Sequence, residues 1–195
     1  MSRLEQQLAF ICELDKLKEI IRQTQILSGS RRENTAEHSW QLGMMAFVLS
    51  EHANEPVDAA HVAKLVLAHD IVEIDAGDTF AYDETGYEDK DAREQAAADR
   101  IFGLLPADQA AELRSWWDEF EARETAEAKF AHAIDRVMPL LHNFYNQGGS
   151  WQRHGIVLAQ TLKRSAEIQD GSQTLYDYTI NKLHEAVELG YLDKE

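Results

Sequence analysis

Apolar residues recur at three- and four-residue steps along most of this chain, and this spacing constrains the fold more than any other feature. The first such series is Leu4, Leu8, Ile11, Leu14, Leu17, Ile20 and Ile21. It predicts an amphipathic helix of roughly twenty residues. Prolines number only 3 in 195 residues, and alternating strand-like runs are scarce. The sequence therefore predicts an all-α fold, a single bundle of about eight helices.

Capping residues divide the rest of the chain into further helices. Asn34, followed three residues later by Glu37, forms a capping box that starts a second helix, and Asp58 caps a third. Pro139 is expected to bend a long apolar helix near the middle of the bundle. The later helices are predicted over residues 88–105, 107–123, 125–147, 155–169 and 174–190. We expect one domain over residues 1–195, with the core motifs in 22–147 and the C-terminal helices, 155–190, packing on it.

Charge and cysteine content exclude several classes of protein. Acidic residues number 35 against 19 basic ones, for a net charge of -16, and such a surface repels the phosphate backbone of polymeric nucleic acids. A small anionic ligand remains compatible with this charge if arginines converge in one pocket. Cys12 is the single cysteine, so a reducing compartment is expected. No apolar run is long enough to span a membrane, and we expect a cytoplasmic protein.

Ionisable residues inside apolar helices indicate a metal site. The segment VLAHDIVEIDAGDTF, residues 66–80, sets His69 and Asp70 at the end of an apolar run. His38 and Asp135 lie in two other apolar helices, where an isolated charge is costly unless it is paired or metal-bound. Taken singly, His38 can be a hydrogen-bonded core residue, and Asp135 can pair with a nearby arginine. Taken jointly, the four residues predict one divalent metal ion, which could be Co, Mn, Fe, Zn or Mg.

Two further carboxylates follow the His-Asp pair. Glu73 lies four residues after His69 and so shares its helix face, where it can act as a general base or acid. The loop predicted over residues 75–87 carries Asp78, which can accept a hydrogen bond from a sugar hydroxyl. The alternatives are a surface charge at a helix end for Glu73 and a turn residue for Asp78.

Arginines bracket the turn that precedes the His38 helix. Arg22 and Arg31 are predicted to bind substrate phosphate, because the guanidinium group binds phosphate at two points. Their alternative role is that of solvated basic residues on an acidic protein.

Three motifs, RRENTAEHSW, LAHDIVEIDAGD and EAKFAHAIDRV, resemble the HD-domain metal-dependent phosphohydrolases. Within that family the chain is similar to the branch that contains the bacterial 5'-deoxynucleotidases and HD domain-containing protein 2. The resemblance implies that His38, His69, Asp70 and Asp135 hold the metal, that Glu73 transfers a proton, and that Asp78 lies near the sugar 3'-hydroxyl. It also implies that Arg22 touches phosphate and that the protein is a homodimer. Gln23 stands where the deoxynucleotidase pattern has tryptophan.

The activity expected from this resemblance is hydrolysis of a nucleoside 5'-monophosphate, preferably a deoxynucleotide, to nucleoside and phosphate. One alternative is a phosphohydrolase or phosphodiesterase that acts on another small phosphate ester. Another is a non-catalytic helical binding protein that keeps the metal for stability. The base and the choice between ribose and deoxyribose stay open.

Overall fold

Helices dominate the computed structural model, which describes residues 1–83, 86 and 88–195. They are α1 (Arg3–Leu14), α2 (Thr35–Leu49), α3 (Ala59–Ala68), α4 (Glu73–Ala76), α5 (Lys90–Phe102), α6 (Ala107–Ala122), α7 (Ala126–Tyr145), α8 (Gly149–His154), α9 (Leu158–Ser165), α10 (Ile168–Gly171) and α11 (Gln173–Glu188). The predicted all-α fold is confirmed. The third predicted helix and the helix predicted over 155–169 are each divided in two, so the bundle has more segments than expected.

The first helix is shorter than the apolar spacing predicted. Ser2 caps α1 through a capping box, but α1 ends at Leu14 and a 3₁₀ turn follows over Asp15–Lys18. Ile21 then begins a strand, and the backbone carbonyl of Ile20 accepts from the N–H of Thr35 at 3.0 Å. Adjacent β-branched residues favour extended backbone, and pairing with a second strand overrides the helical period.

Two short antiparallel strands connect α1 to α2. β1 (Ile21–Gln25) pairs with β2 (Arg32–Asn34), with Ile21 opposite Asn34. Gly29 lies in the turn with a φ of 69°, a backbone conformation that favours glycine. Because successive side chains of a strand point to opposite faces, this pairing buries Glu33 and leaves Arg32 exposed.

The core of the bundle forms around α7. Its buried face includes Phe130, Ile134 and Val137, and it packs against α2, α3, α6 and α10. Pro139 lies inside α7. A smaller apolar cluster joins α1 to α5 and α6 around Phe10 and Trp117. This packing fixes α2, α3 and α7 side by side, so that polar residues on their facing sides meet.

The C-terminal helices pack on the same core. α10 and α11 contact α7, and α11 also contacts α9. The limits of the predicted domain stay a prediction. No helix within the described ranges has the length and apolar character needed to cross a membrane.

The chain turns sharply after α4. Gly77 ends the helix with a positive φ of 76°, which favours glycine, and its N–H donates to the carbonyl of Glu73 at 2.8 Å. Asp78 follows directly and begins the segment that borders the site. Of the loop predicted over 75–87, Glu84, Thr85 and Tyr87 lie outside the described residues.

Candidate metal centre and its adjoining cavities

His38, His69, Asp70 and Asp135 meet between α2, the 3₁₀ turn His69–Val72 and α7. His38 Nε2 lies 2.9 Å from Asp135 Oδ1 and 3.8 Å from Asp70 Oδ2. His69 Nε2 lies 3.0 Å from Asp70 Oδ1 and 3.7 Å from Asp135 Oδ1. Both histidine side chains are buried. The structure thus brings together the four residues that the sequence predicted as ligands.

The hydrogen bond at the other ring nitrogen of His69 orients this imidazole. Nδ1 of His69 donates to the backbone carbonyl of Val66 at 2.7 Å, because a carbonyl oxygen can only accept. In the neutral ring the lone pair therefore resides on Nε2, which is buried and has no hydrogen-bond partner within the described ranges. A hydrogen-bonded Nδ1 with a free Nε2 is the arrangement found in metal-binding histidines.

Three of the residues satisfy a distance requirement for a common ion. Ligand atoms of His38, His69 and Asp135 all lie within 4.8 Å of one another. Two imidazoles and a carboxylate suit a first-row divalent ion such as Zn, Co, Mn or Fe, whose ligand distances are about 2.0–2.2 Å for Zn. Asp70 lies beside these three residues, with Oδ1 3.0 Å from Nε2 of His69 and Oδ2 3.8 Å from Nε2 of His38. The donor set therefore fits one divalent cation.

Electrostatics keep the two aspartates ionised. Burial raises the pKa of Asp70, but His69 and then Arg22 outweigh it and lower the pKa to about 2. Burial likewise raises the pKa of Asp135, while the adjacent imidazoles of His38 and His69 hold it well below its ordinary value. Burial lowers the pKa of His69, but both carboxylates bring it well above its ordinary value. A divalent cation would satisfy the same carboxylates and release that proton.

Glu73 occupies the first turn of α4, beside this centre, and its side chain is buried. The hydroxyl of Thr35 donates to Glu73 Oε2 at 2.8 Å. Burial and the neighbouring Asp70 raise the pKa of Glu73 well above its ordinary value. A buried carboxyl group with a raised pKa can serve as a general acid or, once ionised, as a base.

Arg22 reaches the centre from β1. Its Nη1 lies 3.0 Å from Asp70 Oδ2 and 3.7 Å from Asp78 Oδ1. Burial lowers the pKa of Arg22, but the surrounding carboxylates raise it overall. The apolar spacing predicted a first helix that runs through Ile21, directly before Arg22, whereas Arg22 lies on a strand. The structure brings Arg22 and Asp78 to the site.

Arg31 lies elsewhere. Its guanidinium donates two hydrogen bonds to the carboxylate of Glu37, at 2.7 and 2.8 Å, and 52% of the side chain is exposed. Arg31 precedes the first residue of β2, and its ion pair with Glu37 holds the guanidinium at the surface. The structure does not bring Arg31 to the metal centre, and its predicted contact with substrate gains no support from this geometry.

Glu33 is a site residue that the sequence reasoning missed. Its Oε2 lies 3.6 Å from Nδ1 of His38 and 3.6 Å from Nδ1 of His142, and the residue is only 1% exposed. Burial raises the pKa of Glu33 to about 7, against the opposing effect of Arg22. The in-and-out alternation of a strand at Arg32–Asn34 could have indicated that Glu33 points inward.

Two cavities adjoin the metal centre, and both include Asp135. The first, which we call the aromatic cavity, lies between residues 78–82, α7 and α8, and it is lined in part by Phe80, Tyr82 and Trp151. Its volume is about 640 Å³ when the space open to solvent is included. The second, the polar cavity, contains His69, Asp70 and Glu73.

Both cavities share a set of lining residues that we call the junction: Arg22, Asp78, Thr79, Asp135, Arg136 and Arg164. The sequence analysis also did not identify Arg136 and Arg164 as residues near the site. Arg136 directly follows a predicted ligand, and Arg164 lies in a helix that carries none of the recognised motifs. A ligand that spans the two cavities would pass this junction.

A family profile described as the HD domain matches residues 14–176 of the chain. Human 5'-deoxynucleotidase HDDC2 is 30% identical over 135 residues, which cover 69% of this chain and 65% of the human protein. The bovine protein of that name is 34% identical over 110 residues, which cover 56% of this chain and 52% of that protein. The matched segment thus spans between about half and two thirds of these curated relatives.

Solved structures give a fuller overlap. A predicted metal-dependent phosphohydrolase from Magnetospirillum magnetotacticum MS-1 superposes with a TM-score of 0.94 at 54% identity, covering 98% of this chain and 96% of that one. The PH0347 protein from Pyrococcus horikoshii OT3 has a TM-score of 0.66 at 19% identity, covering 93% and 99%. Because the sequence identity to PH0347 is only 19%, this second similarity shows a shared fold and nothing more.

Proposed function

Because the chain belongs to the HD domain family, we propose that it is a metal-dependent phosphohydrolase that releases phosphate from nucleoside 5'-monophosphates. One observation carries the proposal: ligand atoms of His38, His69 and Asp135, from three separate segments, lie within reach of one ion and beside a cavity. The similarity to proteins named 5'-deoxynucleotidase supports the substrate class, and deoxynucleotides are the preferred candidates.

The aromatic cavity is the proposed site of the nucleoside. The rings of Phe80 and Tyr82 lie with their centroids 5.4 Å apart, and Phe80 also contacts the ring of His154 at 4.5 Å. Aromatic faces of this kind bind nucleobases by stacking. Asp78 lies between this cavity and the metal centre, where its carboxylate can accept a hydrogen bond from a sugar hydroxyl.

Each residue of the centre has a distinct part in the proposed reaction. His38, His69 and Asp135, together with Asp70, would hold the divalent ion. When bound, such an ion polarises a phosphoryl oxygen and lowers the pKa of water.

Glu73 would transfer the proton, because it is buried beside the ligands and its pKa is raised. Arg22 holds Asp70 and Asp78 in place through its Nη1 and offsets negative charge near the phosphate.

The direct test is phosphate release from matched ribo- and deoxyribonucleoside 5'-monophosphates, with Co, Mn or Mg added. A deoxynucleotidase should release phosphate preferentially from the deoxynucleotides. Release from another phosphate ester or from a diester, with no release from nucleotides, would favour the alternative enzyme class. No hydrolysis of any substrate by the metal-loaded protein would contradict the proposal.

Glu73→Gln separates an enzyme from a binding protein that keeps a metal for stability. The amide retains the shape of the side chain and cannot take up or release the proton. We expect this variant to bind metal as the wild type does and to lose phosphate release. If turnover persists with metal bound, then Glu73 does not transfer the proton.

We also propose that the protein is a homodimer that functions in the cytoplasm. α2 exposes Trp40, Met44, Phe47 and Val48 on one face, and Leu67 of α3 is exposed beside it. A second copy is the favoured occupant, because copies of net charge -16 repel one another except at a face without charged groups, and residues 38–50 contain no acidic residue, lysine or arginine. The single cysteine is compatible with a reducing compartment.

A further inference from the structure

Glu33 places one carboxylate oxygen, Oε2, among four polar side chains. The hydroxyl of Thr24 donates to Oε2 at 3.4 Å. Nε of Arg22 lies 3.7 Å from this oxygen, and Nδ1 of His38 and Nδ1 of His142 each lie 3.6 Å from it. These three nitrogen atoms are buried and have no hydrogen-bond partner among the residues that the structure describes. Because a buried polar atom without a partner is costly, the position of Oε2 matters to all three.

The neighbours of Glu33 approach its carboxylate from two sides. Arg22 and Thr24 are two positions apart on β1, so they share one face of that strand. His38 comes from α2 and His142 from α7. Without His142, two donors from β1 would face a single imidazole across the carboxylate.

His142 lies on the same face of α7 as Asp135, because seven residues make about two helical turns. It is only 1% exposed. Burial lowers the pKa of His142 to about 4, and the positive charges of His38 and Arg22 add to this effect. The ring is therefore neutral at pH 7 and carries one proton. Nδ1 is the favoured place for that proton, since a lone pair there would face the carboxylate of Glu33.

His38 needs an acceptor at Nδ1 when the metal is bound. A divalent ion at the centre takes the lone pair at Nε2, which leaves the ring proton on Nδ1. Glu33 faces that atom, as the carbonyl of Val66 faces Nδ1 of His69. The contact at His69 is a hydrogen bond of 2.7 Å, whereas the distance at His38 is 3.6 Å. The position of the Glu33 carboxylate therefore determines how firmly His38 is oriented.

We propose that His142 is a positioning residue of the metal centre, which donates from Nδ1 to Glu33 and holds that carboxylate where it accepts from Nδ1 of His38. His142 acts through Glu33 and touches neither the ion nor the substrate. The inference rests on the proposed function for its metal ligands, but it does not depend on the substrate.

Calorimetric titration with Mn tests this role. His142→Leu removes the donor and should lower the affinity for Mn by about tenfold, at the lower end of the range for partners of ligating histidines. His142→Asn carries its amide group on Cγ, where histidine carries Nδ1, and should retain most of the affinity. His184→Leu, at an exposed position on α11, is the matched control and should bind Mn as the wild type does. Unchanged affinity in folded His142→Leu would overturn the inference.

A double-mutant cycle shows whether His142 acts through Glu33. In a Glu33→Ala background, His142→Leu should cause no further loss of Mn affinity, since the carboxylate that His142 positions is gone. Losses that add in the double variant would overturn the inference. Melting temperatures in the presence of a chelator identify a variant that fails to fold. In that case nitrogen NMR of the metal-loaded wild type decides, because a proton on Nε2 of His142 instead of Nδ1 would also overturn the inference.

The Co-loaded protein gives a readout that a general loss of stability would not produce. The Nδ1–H protons of His38 and His69 belong to the imidazoles that would bind the paramagnetic ion, so their NMR signals should be shifted away from the rest. In His142→Leu the His38 signal should exchange faster with solvent. The His69 signal, whose acceptor is the carbonyl of Val66, should stay unchanged. Equal changes in both signals would overturn the inference.

Failure of this inference can be told apart from failure of the proposed function. If the wild type binds Mn and hydrolyses nucleotides, but folded His142→Leu keeps its metal affinity, the role of His142 is wrong and the activity stands. If the wild type binds Mn and hydrolyses no nucleotide, while His142→Leu binds Mn more weakly, the positioning role stands and the substrate is a different one.

Discussion

Nε2 of His38 lies 2.9 Å from Oδ1 of Asp135, although 97 positions separate the two residues in the chain. Each of the two side chains lies among apolar residues of its own helix that pack into the core. Neither helix on its own therefore offers its polar side chain a partner. The contact exists because α2 and α7 lie side by side. It joins two of the residues that we propose as metal ligands.

Removing Asp135 should remove the metal. Asp135→Ala eliminates a carboxylate whose Oδ1 faces both histidines, so we expect affinity for Mn or Co to fall by more than about 100-fold, since even the partners of ligands contribute about 10 to 100-fold. Elemental analysis after dialysis against a weak chelator measures this directly. Asp177→Ala, at an exposed position on α11, is the control. Stoichiometric metal in Asp135→Ala would contradict the assignment.

Glu33 should set the orientation of His38. Its carboxylate lies on the Nδ1 side of the ring, opposite the Nε2 atom that faces Asp135. Glu33→Ala should lower metal affinity by about 10 to 100-fold, as other partners of ligating histidines do. Glu33→Gln keeps a hydrogen-bond acceptor and should lose less. Calorimetric titration with Mn measures the metal affinity of both variants, and Glu185→Ala on α11 is the control. Equal metal affinities in the wild type and all variants would show that Glu33 does not contribute to the site.

His132 should make the fold sensitive to acid. Burial lowers the pKa of His132 to about 3, whereas an unfolded histidine titrates near 6.5. The unfolded chain therefore binds a proton that the native state does not, so the free energy of unfolding should fall as the pH drops from about 6.5 towards 3.

His132→Gln keeps a hydrogen-bonding side chain but cannot titrate. Its unfolding free energy should depend less steeply on pH, by up to about 1.4 kcal/mol per pH unit. Urea unfolding at pH 7, 6 and 5 in the presence of a chelator gives both slopes. Identical slopes for variant and wild type would show that the pKa of His132 is the same in the native and the unfolded state, against this prediction.

The exposed face of α2 should determine the oligomeric state. Phe47 is 56% exposed on the apolar face formed with Trp40, Met44, Val48 and Leu67. Phe47→Glu places a charge on that face and should convert a dimer to a monomer, which sedimentation velocity measures. Tyr178→Glu, on the exposed side of α11, is the control. A wild type that is monomeric at high concentration would rule out the dimer.

The helices were largely predictable because their signals are local. The capping boxes at Ser2 and Asn34 and the side-chain cap at Asp58 depend on residues within one turn of each other. The first helix was overextended for the same reason. Its apolar period continues through Ile21, but the pairing that makes this segment a strand involves Asn34, which a local pattern does not include.

The positions of the arginines relative to the metal centre could not be predicted from the sequence. Arg22 and Arg31 flank the same turn and looked equivalent, yet the strand pairing buries one against Asp70 and directs the other to Glu37. Nothing in the sequence indicated that Arg164 lies near the site, because its helix carries no recognised motif. Its place at the junction depends on how α9 packs beside α7.

The sequence by itself determined the helical class, the helix boundaries set by caps, and the residue types that a divalent cation requires. These depend on local backbone preferences and on the chemistry of His, Asp and Glu. Only the tertiary structure decided which polar groups share a space: Glu33 with His38, and Arg136 and Arg164 with Asp135. Those relationships arise from the packing of distant segments, where distances of a few ångströms are fixed by the core.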